Sequence, residues 1–272
     1  MSSTMTECAE LSDRGVITLA GADRVAFLQG LVSNDVALAA PGCAVFAAFL
    51  TPHGRWLADF LIFSDGERLF LDSARAEIPD LLRRFGRYRL RMDVTLTEAD
   101  AMRVYAAWHG APDGLPAAAL KAADPRHPEA GTRILSPLAL ATNASGEAWD
   151  AHRLRLGLPD GPRDLEAGET LLLEARYDEF QAISWTKGCY MGQELTARTR
   201  YRGLVKRRLV PVMVEGEGDC PPPGTPILSK GEAVGMLRSG REGLALAMLP
   251  NPLPPGPFTA AGRRLVARAT SW

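Results

Sequence analysis

The segment Lys187–Glu194 (KGCYMGQE) contains two glycines, a cysteine, a lysine, a glutamine and a carboxylate within eight residues. Such a composition contributes little to a hydrophobic core. Its glycines permit backbone conformations that other residues rarely adopt, so the segment can turn sharply or lie close to a ligand. The thiol of Cys189 lies near Lys187, on a backbone whose N–H groups can point at it, and this favours the thiolate. The sequence therefore predicts a loop for chemistry or recognition.

Two further segments continue the pattern of this loop, residues 197–208 (ARTRYRGLVKRR) and residues 27–36 (FLQGLVSNDV). Together the three segments resemble the YgfZ family, which are folate-binding proteins linked to iron–sulfur cluster assembly and tRNA modification. That family is similar in turn to the tetrahydrofolate-dependent aminomethyltransferase, or T-protein, of the glycine cleavage system. The resemblance covers roughly residues 15–208, and the C-terminal part fits in length and character only.

The resemblance implies an α+β fold, in which an aminomethyltransferase-like folate-binding region precedes a small C-terminal β-barrel. The hydrophobic pattern agrees: residues 15–96 predict strand, helix, three strands, helix and strand, which is typical of helices covering a largely antiparallel sheet. Residues 111–137 are rich in proline, alanine and glycine and predict loops and short elements. Short β-rich runs follow, with the spacing of a barrel of about 65 residues. The predicted divisions are residues 1–97, residues 98–205 with the KGCYMGQE loop, and residues 206–272.

The composition excludes several classes of protein. The chain has 272 residues, 46% of them hydrophobic, which is enough to bury a sizeable core in two or three subdomains. Its net charge of −1 gives no overall attraction to nucleic acid or anionic membranes. The four cysteines, at positions 8, 43, 189 and 220, form no CxxC pair, so no zinc site or redox pair is expected. With no leader and no long uninterrupted apolar run, we expect a cytoplasmic protein without a membrane partner.

Cys189 has two interpretations. It is either a small residue wedged into a tight loop, or a functional thiol that serves as a nucleophile, a redox group or a transient ligand for iron or a cluster. The four histidines are scattered, and none supplies a recognisable base or metal-ligand set for it. Acyl-transfer chemistry is therefore disfavoured, and a thiol that acts with a partner protein or cofactor is favoured. The resemblance implies that Cys189 is functionally central.

A basic strip surrounds the loop. Between Lys187 and Arg208 there are seven Lys or Arg residues and one carboxylate, Glu194. The strip can hold RNA phosphates, with tyrosines available for base stacking. It can also bind the glutamate tail of a folate, because arginine pairs with carboxylates in a bidentate manner, or it can be an ordinary solvated face. The mild overall charge disfavours extended RNA wrapping, so a compact anionic ligand held by Lys187, Arg198 and Arg202 is favoured.

Asp59 lies in an otherwise apolar predicted strand, residues 54–63 (GRWLADFLIF). A carboxylate is costly to bury there unless a donor pairs with it, although an outward-facing strand residue gives the same pattern. By resemblance, Asp59 occupies the place of the aminomethyltransferase aspartate beside the reactive nitrogens of tetrahydrofolate, where a carboxylate orients the pterin and helps to move a proton. Arg155 departs from the family, because a glutamate that accepts hydrogen bonds from the pterin stands there in the aminomethyltransferases.

Asn34, Phe46 and Trp185 complete the predicted pocket, since aromatic walls suit a flat ring, although each is more often a core residue than a ligand contact. The favoured hypothesis is a folate-binding accessory protein for iron–sulfur cluster assembly or repair, and thereby for tRNA modification. Tetrahydrofolate or a derivative would occupy a central cavity beside Asp59, with Cys189 at its rim. These two residues are the candidate catalytic groups, and no metal site is expected.

Two alternatives stay open: a tetrahydrofolate-dependent aminomethyltransferase and a tRNA-binding module that acts through the basic strip. Whether the chain is an enzyme is open as well, with an accessory factor favoured. The expected partners are folate and iron–sulfur client or assembly proteins, and tRNA is not favoured.

Overall fold

The computed structural model describes residues 5–110 and 112–268. The first part of the chain forms six strands and two helices. In chain order they are β1 (Glu7–Glu10), β2 (Arg14–Ala20), α1 (Arg24–Gln29), β3 (Val45–Leu50), β4 (Trp56–Ser64), β5 (Leu69–Ala74), α2 (Ile78–Arg89) and β6 (Thr95–Glu98). A 3₁₀ turn over Val36–Leu38 follows α1, and another over Arg75–Glu77 leads into α2.

Five of these strands form an antiparallel sheet in the order β3-β4-β5-β2-β6. Nearly every residue of β3 and β4 is buried, because both faces of these strands are covered, and this explains their unbroken apolar sequence. One face packs against the helices, where the rings of Phe27, Phe49 and Phe60 surround Phe85 at centroid distances of 5.0–6.3 Å. The other face, with Phe46 and the remaining alternate residues, packs against the rest of the molecule.

The middle of the chain adds a second sheet and three helices. Its elements are β7 (Arg103–Trp108), β8 (Leu120–Ala123), β9 (Thr132–Ser136), α3 (Gly146–Leu156), α4 (Gly161–Asp164) and α5 (Gln193–Arg202), with a 3₁₀ turn over Pro128–Ala130. The sheet has the order β1-β7-β9-β8. Ser145 begins α3 by accepting a hydrogen bond from the N–H of Ala148, and Gly157 ends it in the left-handed conformation. Trp149 of α3 packs on Trp108 of the sheet, with 5.6 Å between the ring centroids.

The C-terminal part forms a closed antiparallel barrel. Its strands are β10 (Arg207–Val214), β11 (Pro226–Ser229), β12 (Glu232–Arg241), β13 (Leu244–Pro250), β14 (Phe258–Ala260) and β15 (Arg263–Ala267). They close in the order β10-β13-β12-β11-β14-β15 around a core of their own, which includes Val212, Leu237 and Leu265. The fold is thus two antiparallel sheets with helices, followed by a small barrel, in agreement with the predicted α+β class. In residues 5–110 and 112–268, no helix combines the length and apolar character needed to cross a membrane.

The two sheets are joined by a buried carboxylate, Asp72 of β5. It accepts hydrogen bonds from Arg14 of β2 at 2.5 Å and from Arg133 of β9 at 3.0 Å. Asp124, just after β8, belongs to the same network, because it forms ion pairs with Arg126 at 2.6 Å and with Arg133 at 3.7 Å. Although burial raises the pKa of Asp124, the arginines lower it to about 2, so this carboxylate is charged at neutral pH.

A second buried network joins α3 and α4 to the barrel. Arg153 of α3 is 2% exposed and donates to Asp150 at 2.7 Å, to Asp164 at 2.8 Å and to the hydroxyl of Ser239 in β12 at 2.7 Å. Asp164 in turn accepts from the backbone N–H of Ser239 at 3.0 Å. The barrel is therefore attached by charge-assisted hydrogen bonds as well as by apolar packing.

Substitution of Asp72 tests the first network. Asp72→Ala removes the partner of two buried guanidinium groups, so we expect the free energy of unfolding to fall by about 3–5 kcal/mol. Urea denaturation measures it. The control is Asp80→Ala, which removes an exposed carboxylate that pairs with Arg83 and Arg84 on α2 and should cost less than about 1 kcal/mol. Equal losses in the two variants would show that the buried network does not join the sheets.

Candidate functional site

The KGCYMGQE loop is fastened to the N-terminal part of the chain by Lys187. Its ammonium donates hydrogen bonds to the carbonyl oxygens of Val32 at 2.8 Å and Asn34 at 2.7 Å, and lies 5.3 Å from the ring centroid of Tyr190. Lys187 is only 9% exposed, and this burial lowers its pKa to about 8. Its contacts are made within the chain, so it holds the loop against the turn that follows α1.

Asn34 forms the other side of the same junction. Its side-chain amide donates to the carbonyl oxygens of Phe46 at 2.8 Å and Gln181 at 2.7 Å, and its side-chain oxygen accepts from the N–H of Asp35 at 2.9 Å. Most of the hydrogen-bonding capacity of this amide is therefore used to tie β3 to the segment that leads into the loop.

Two glycines allow the end of the loop to approach the β3–β4 turn closely. Gly192 has φ +81°, and a Cβ there would lie 2.6 Å from the carbonyl oxygen of Thr51. Gly54 has φ +76°, and its Cβ would lie 2.7 Å from the carbonyl oxygen of Gly192. Both positions require glycine, because a side chain would clash with backbone and strain the left-handed conformation. The loop is thus held by the turn on one side and by Lys187 on the other.

The outer side of the loop presents a thiol and a basic helix. Cys189 is exposed, and Trp185 before it is 37% exposed with the guanidinium of Arg200 at 3.9 Å from its ring centroid. Arg198 pairs with Glu194 at 2.7 Å on the exposed face of α5. Within the part of the chain that the structure describes, no three His, Cys, Asp or Glu side chains are grouped to hold a metal ion.

Asp59 lies in the interior between the two sheets. It pairs with Ala48 of β3 and, by the alternation of a strand, lies on the face of β4 that also carries Leu61. It is 5% exposed and accepts a hydrogen bond at 2.5 Å from the hydroxyl of Tyr177, whose ring lies 5.2 Å from that of Phe46. Burial raises the pKa of Asp59, while Arg14 and Tyr177 oppose the rise.

A cavity of about 420 Å³ lies between the β1–β2 turn, α3 and β12. Arg14, Arg126 and Asp160 line it and also act electrostatically on Asp59, so the Asp59 carboxyl lies behind this wall. The lining includes six arginines (Arg14, Arg126, Arg133, Arg153, Arg163 and Arg241) and five carboxylates (Glu10, Asp13, Glu147, Asp150 and Asp160). The buried Nε of Arg133 has no hydrogen-bond partner among the described residues. The arginines pair with carboxylates of the chain, and the N–H groups that these pairs leave free can bind an anion with several acceptor oxygens, because a guanidinium group has five donors.

The structure divides the predicted site residues into three groups and does not bring them into one pocket. Two lie beside the cavity wall (Asp59, Phe46), two lie in the loop junction (Asn34, Lys187), and four are exposed on the loop and α5 (Cys189, Trp185, Arg198, Arg202). Arg155 is exposed as well, and Arg153 is the α3 arginine that lines the cavity. The sequence did not reveal the cavity arginines, because they come from widely separated segments with no local motif.

Comparisons with known proteins match both parts of the chain. Residues 206–272 match the family model described as the CAF17 C-terminal beta-barrel domain. The chain is 32% identical to the mitochondrial iron–sulfur cluster assembly factor IBA57 of Homo sapiens, over 89% of this chain and 77% of that protein. It is 30% identical to the same factor of Mus musculus, over 92% and 79%. The IBA57 homolog of Mycosarcoma maydis is 36% identical over 81% of this chain, which spans 60% of that longer protein.

Among solved structures, the chain resembles the glycine cleavage system aminomethyltransferase T from Bartonella henselae. The TM-score is 0.76 over 96% of this chain and 84% of that one, at 14% sequence identity. At this identity the likeness shows the fold alone. It confirms the aminomethyltransferase-like fold that the KGCYMGQE loop and its flanking segments predicted.

One prediction is wrong. The relatives are named as mitochondrial proteins, which contradicts the cytoplasmic location expected from the sequence. That expectation depended on the absence of a leader and on cysteines without disulfide spacing, and such cysteines indicate only a compartment in which thiols stay reduced. The redox state of a compartment does not identify it, so cysteine usage could not decide between the two locations.

Lys187 provides a test of the loop junction. Lys187→Met leaves two buried carbonyl oxygens without a donor, so we expect a loss of about 1–3 kcal/mol in the free energy of unfolding at pH 7.5. The difference should grow towards pH 9.5. Folded Lys187 releases its proton near pH 8 whereas the unfolded chain keeps it to near 10.5, so the wild type gains stability as the pH rises through that window.

Urea denaturation at pH 7.5, 8.5 and 9.5 measures this difference, with Lys206→Met as the control at an exposed lysine. The neutral amine still has two N–H groups for the two carbonyls. A stability difference that shrinks as the pH rises would therefore contradict the assigned burial of Lys187.

Proposed function

The chain belongs to the family of the iron–sulfur cluster assembly factor IBA57, and from that premise we propose that it supports iron–sulfur cluster assembly through the exposed thiol of Cys189. The observation that carries this proposal is the exposed position of the thiol on a loop that is fixed at both ends. Lys187 and Gly192 hold the loop rigidly on either side, while Cys189 itself faces the solvent. A thiolate in such a position is a suitable ligand for iron or a cluster.

Cys189 would act together with a second protein. Iron–sulfur clusters are generally held by four protein ligands, most often thiolates. The described residues contain no group of three potential ligands, so Cys189 would contribute one ligand and a client or assembly protein would contribute the others. This arrangement is that of an accessory factor, because the chain would position a cluster and would not catalyse a reaction by itself.

Replacement of the thiol tests the proposal. In cells that lack this protein, we expect the Cys189→Ser variant to fail to restore the activity of cluster-dependent enzymes, because serine is a much poorer ligand for iron in a cluster. The matched control is Cys43→Ser, at another exposed cysteine, which should restore activity as well as the wild type. Enzyme assays in cell extracts, normalised to the amount of each variant, provide the measurement. Full rescue by Cys189→Ser would show that the thiol is not required for the function.

We further propose that the arginine-lined cavity binds a reduced folate. Its volume of about 420 Å³ lies within the range of small-molecule sites. Arg163 and Arg241, whose side chains are 41% and 35% exposed, both pair with Asp150, at 2.8 Å and 3.1 Å. The glutamate carboxylates would bind beside these pairs, through the remaining N–H groups of the two arginines, and Trp149 offers an aromatic wall. Tetrahydrofolate carries one-carbon units on its reduced pterin ring.

Nothing in the cavity favours aminomethyl transfer over simple binding. Asp59 is buried against Tyr177 behind the wall, and α3 presents Arg153 to the cavity. In this chain Asp59 and Tyr177 would support the wall electrostatically, while the arginines hold the anion. Binding of folate, without its turnover, is therefore the proposal.

Calorimetric titration tests the folate proposal. We expect tetrahydrofolate to bind with a Kd in the micromolar range or below, and Arg163→Gln to weaken binding roughly tenfold or more through loss of a charge-assisted hydrogen bond. The control is Arg83→Gln, at an arginine on α2 that is 54% exposed. Absence of binding heat, or equal affinity for a pterin without glutamate, would contradict the assignment of the arginines.

A further inference from the structure

The outer face of α5 and the Cys189 loop form one exposed surface. Tyr201 is 87% exposed, Leu204 is 51% exposed and Trp185 is 37% exposed. The guanidinium of Arg200 lies 3.9 Å from the ring centroid of Trp185 and so connects the helix to the loop that carries Cys189. We call this the α5 surface, made of Trp185, Arg198, Arg200, Tyr201, Arg202, Leu204 and Lys206.

We propose that the α5 surface docks a protein that carries an acidic patch, and that docking brings the metal or cluster ligands of this partner to Cys189. The inference depends on the proposed function of Cys189 and adds to it the place of contact and the chemistry of the partner.

The charge of the surface differs in sign from that of the whole chain. Residues 193–206 include four cationic side chains and one carboxylate, whereas the chain has a net charge of −1. The carboxylate, Glu194, is already paired with Arg198 at 2.7 Å. Across residues 5–110 and 112–268, Arg202 and Lys206 take part in no ion pair. These two cations are therefore available to carboxylates on a partner, and such complementarity speeds and orients association.

The apolar residues of the surface favour a macromolecule. Trp, Tyr and Arg are the residues enriched at the energetic centres of protein interfaces, and the α5 surface presents all three beside Leu204. The exposed face of a helix is a broad surface, whereas small ligands are held in enclosed clefts. The enclosed, arginine-lined cavity is formed by other segments of the chain.

A protein suits the surface better than RNA. Arg200 already lies over the ring of Trp185, so among the aromatic residues of the α5 surface only Tyr201 offers an open face to a base, and one stacked base would leave the other apolar residues uncovered. Leu204 offers an apolar contact that a nucleic acid backbone does not use. An acidic protein surface satisfies the cations and covers the apolar residues as well.

The first experiment places a photo-crosslinker on the surface. p-Benzoylphenylalanine replaces Tyr201 in the full chain, expressed in the cells that normally make it. The control carries the same residue in place of Leu90, which is 85% exposed just after α2. We expect irradiation to link a protein to position 201 and not to position 90. Capture of RNA at position 201, or equal capture at the two positions, would overturn the proposal.

The second experiment measures binding of the purified captured protein. The variant Arg202→Glu/Lys206→Glu should weaken its Kd at least tenfold, and added salt should weaken the wild-type complex. The matched control is Arg87→Glu/Arg91→Glu, which reverses two exposed arginines in the last turn of α2 and just after it and should change the Kd less than twofold. Equal weakening by the two double variants, or none by the first, would show that the α5 surface is not the contact.

Rescue of cluster-dependent enzymes separates this inference from the proposed function. If the Arg202→Glu/Lys206→Glu variant fails to restore activity, and Cys189→Ser fails while still binding the partner within twofold of the wild type, both proposals are supported. If the surface variant restores full activity and Cys189→Ser does not, the docking inference is wrong and the role of the thiol stands. If Cys189→Ser restores activity, the proposed function itself is wrong.

Discussion

The neutralisation of Asp72 is the interaction on which the rest of the structure depends. A fully buried carboxylate requires cationic partners, and Asp72 takes one from each sheet, Arg14 from its own and Arg133 from the other. The same arginines line the cavity, together with Arg126, which is paired with Asp124. The deep arginines of the cavity wall and the residues that join the two sheets are therefore one set of side chains. Evolution of a new ligand specificity in this cavity is constrained by the stability of the fold, because each deep arginine serves both purposes.

Much of the fold follows from local sequence. The apolar runs of β3 and β4, the amphipathic pattern of α2 and the short strands of the barrel are properties of neighbouring residues, and the structure has them where the sequence predicts. The sheet β1-β7-β9-β8 could not be predicted from local sequence. Its strands are short, and β8 and β9 lie among the prolines and glycines of residues 111–137. Pairing such as that of Glu7 with Trp108 is decided by tertiary contacts across about a hundred residues, to which hydrophobic periodicity is insensitive.

The candidate site shows the same division. The composition of the KGCYMGQE loop predicts an exposed, recognisable segment, and its apolar neighbours predict that Asp59 is expensive to bury. The partners of Lys187 could not be predicted, because the carbonyls of Val32 and Asn34 lie more than 150 residues away in sequence. Likewise, Arg133 in a short strand has no local sign of a role, and only the fold places it beside Asp72 and the cavity. The sequence thus identifies residues that are unusual among their neighbours in the chain. Residues that are common in type and become functional only because the fold brings them together are identified by the structure.

The barrel matches a family model of its own, yet in this chain it is not an independent module. Arg153, Asp150 and Asp164 belong to the central helices and pair with one another, and Ser239 and Arg241 of the barrel complete their hydrogen bonds. In a chain cut before the barrel, this cluster would be exposed, and water would replace its contacts with Ser239 and Arg241. Transfer of this barrel to another protein would therefore also require the residues of α3 and α4 that pair with it. The segment that must be inherited together is longer than residues 206–272, which the family model covers.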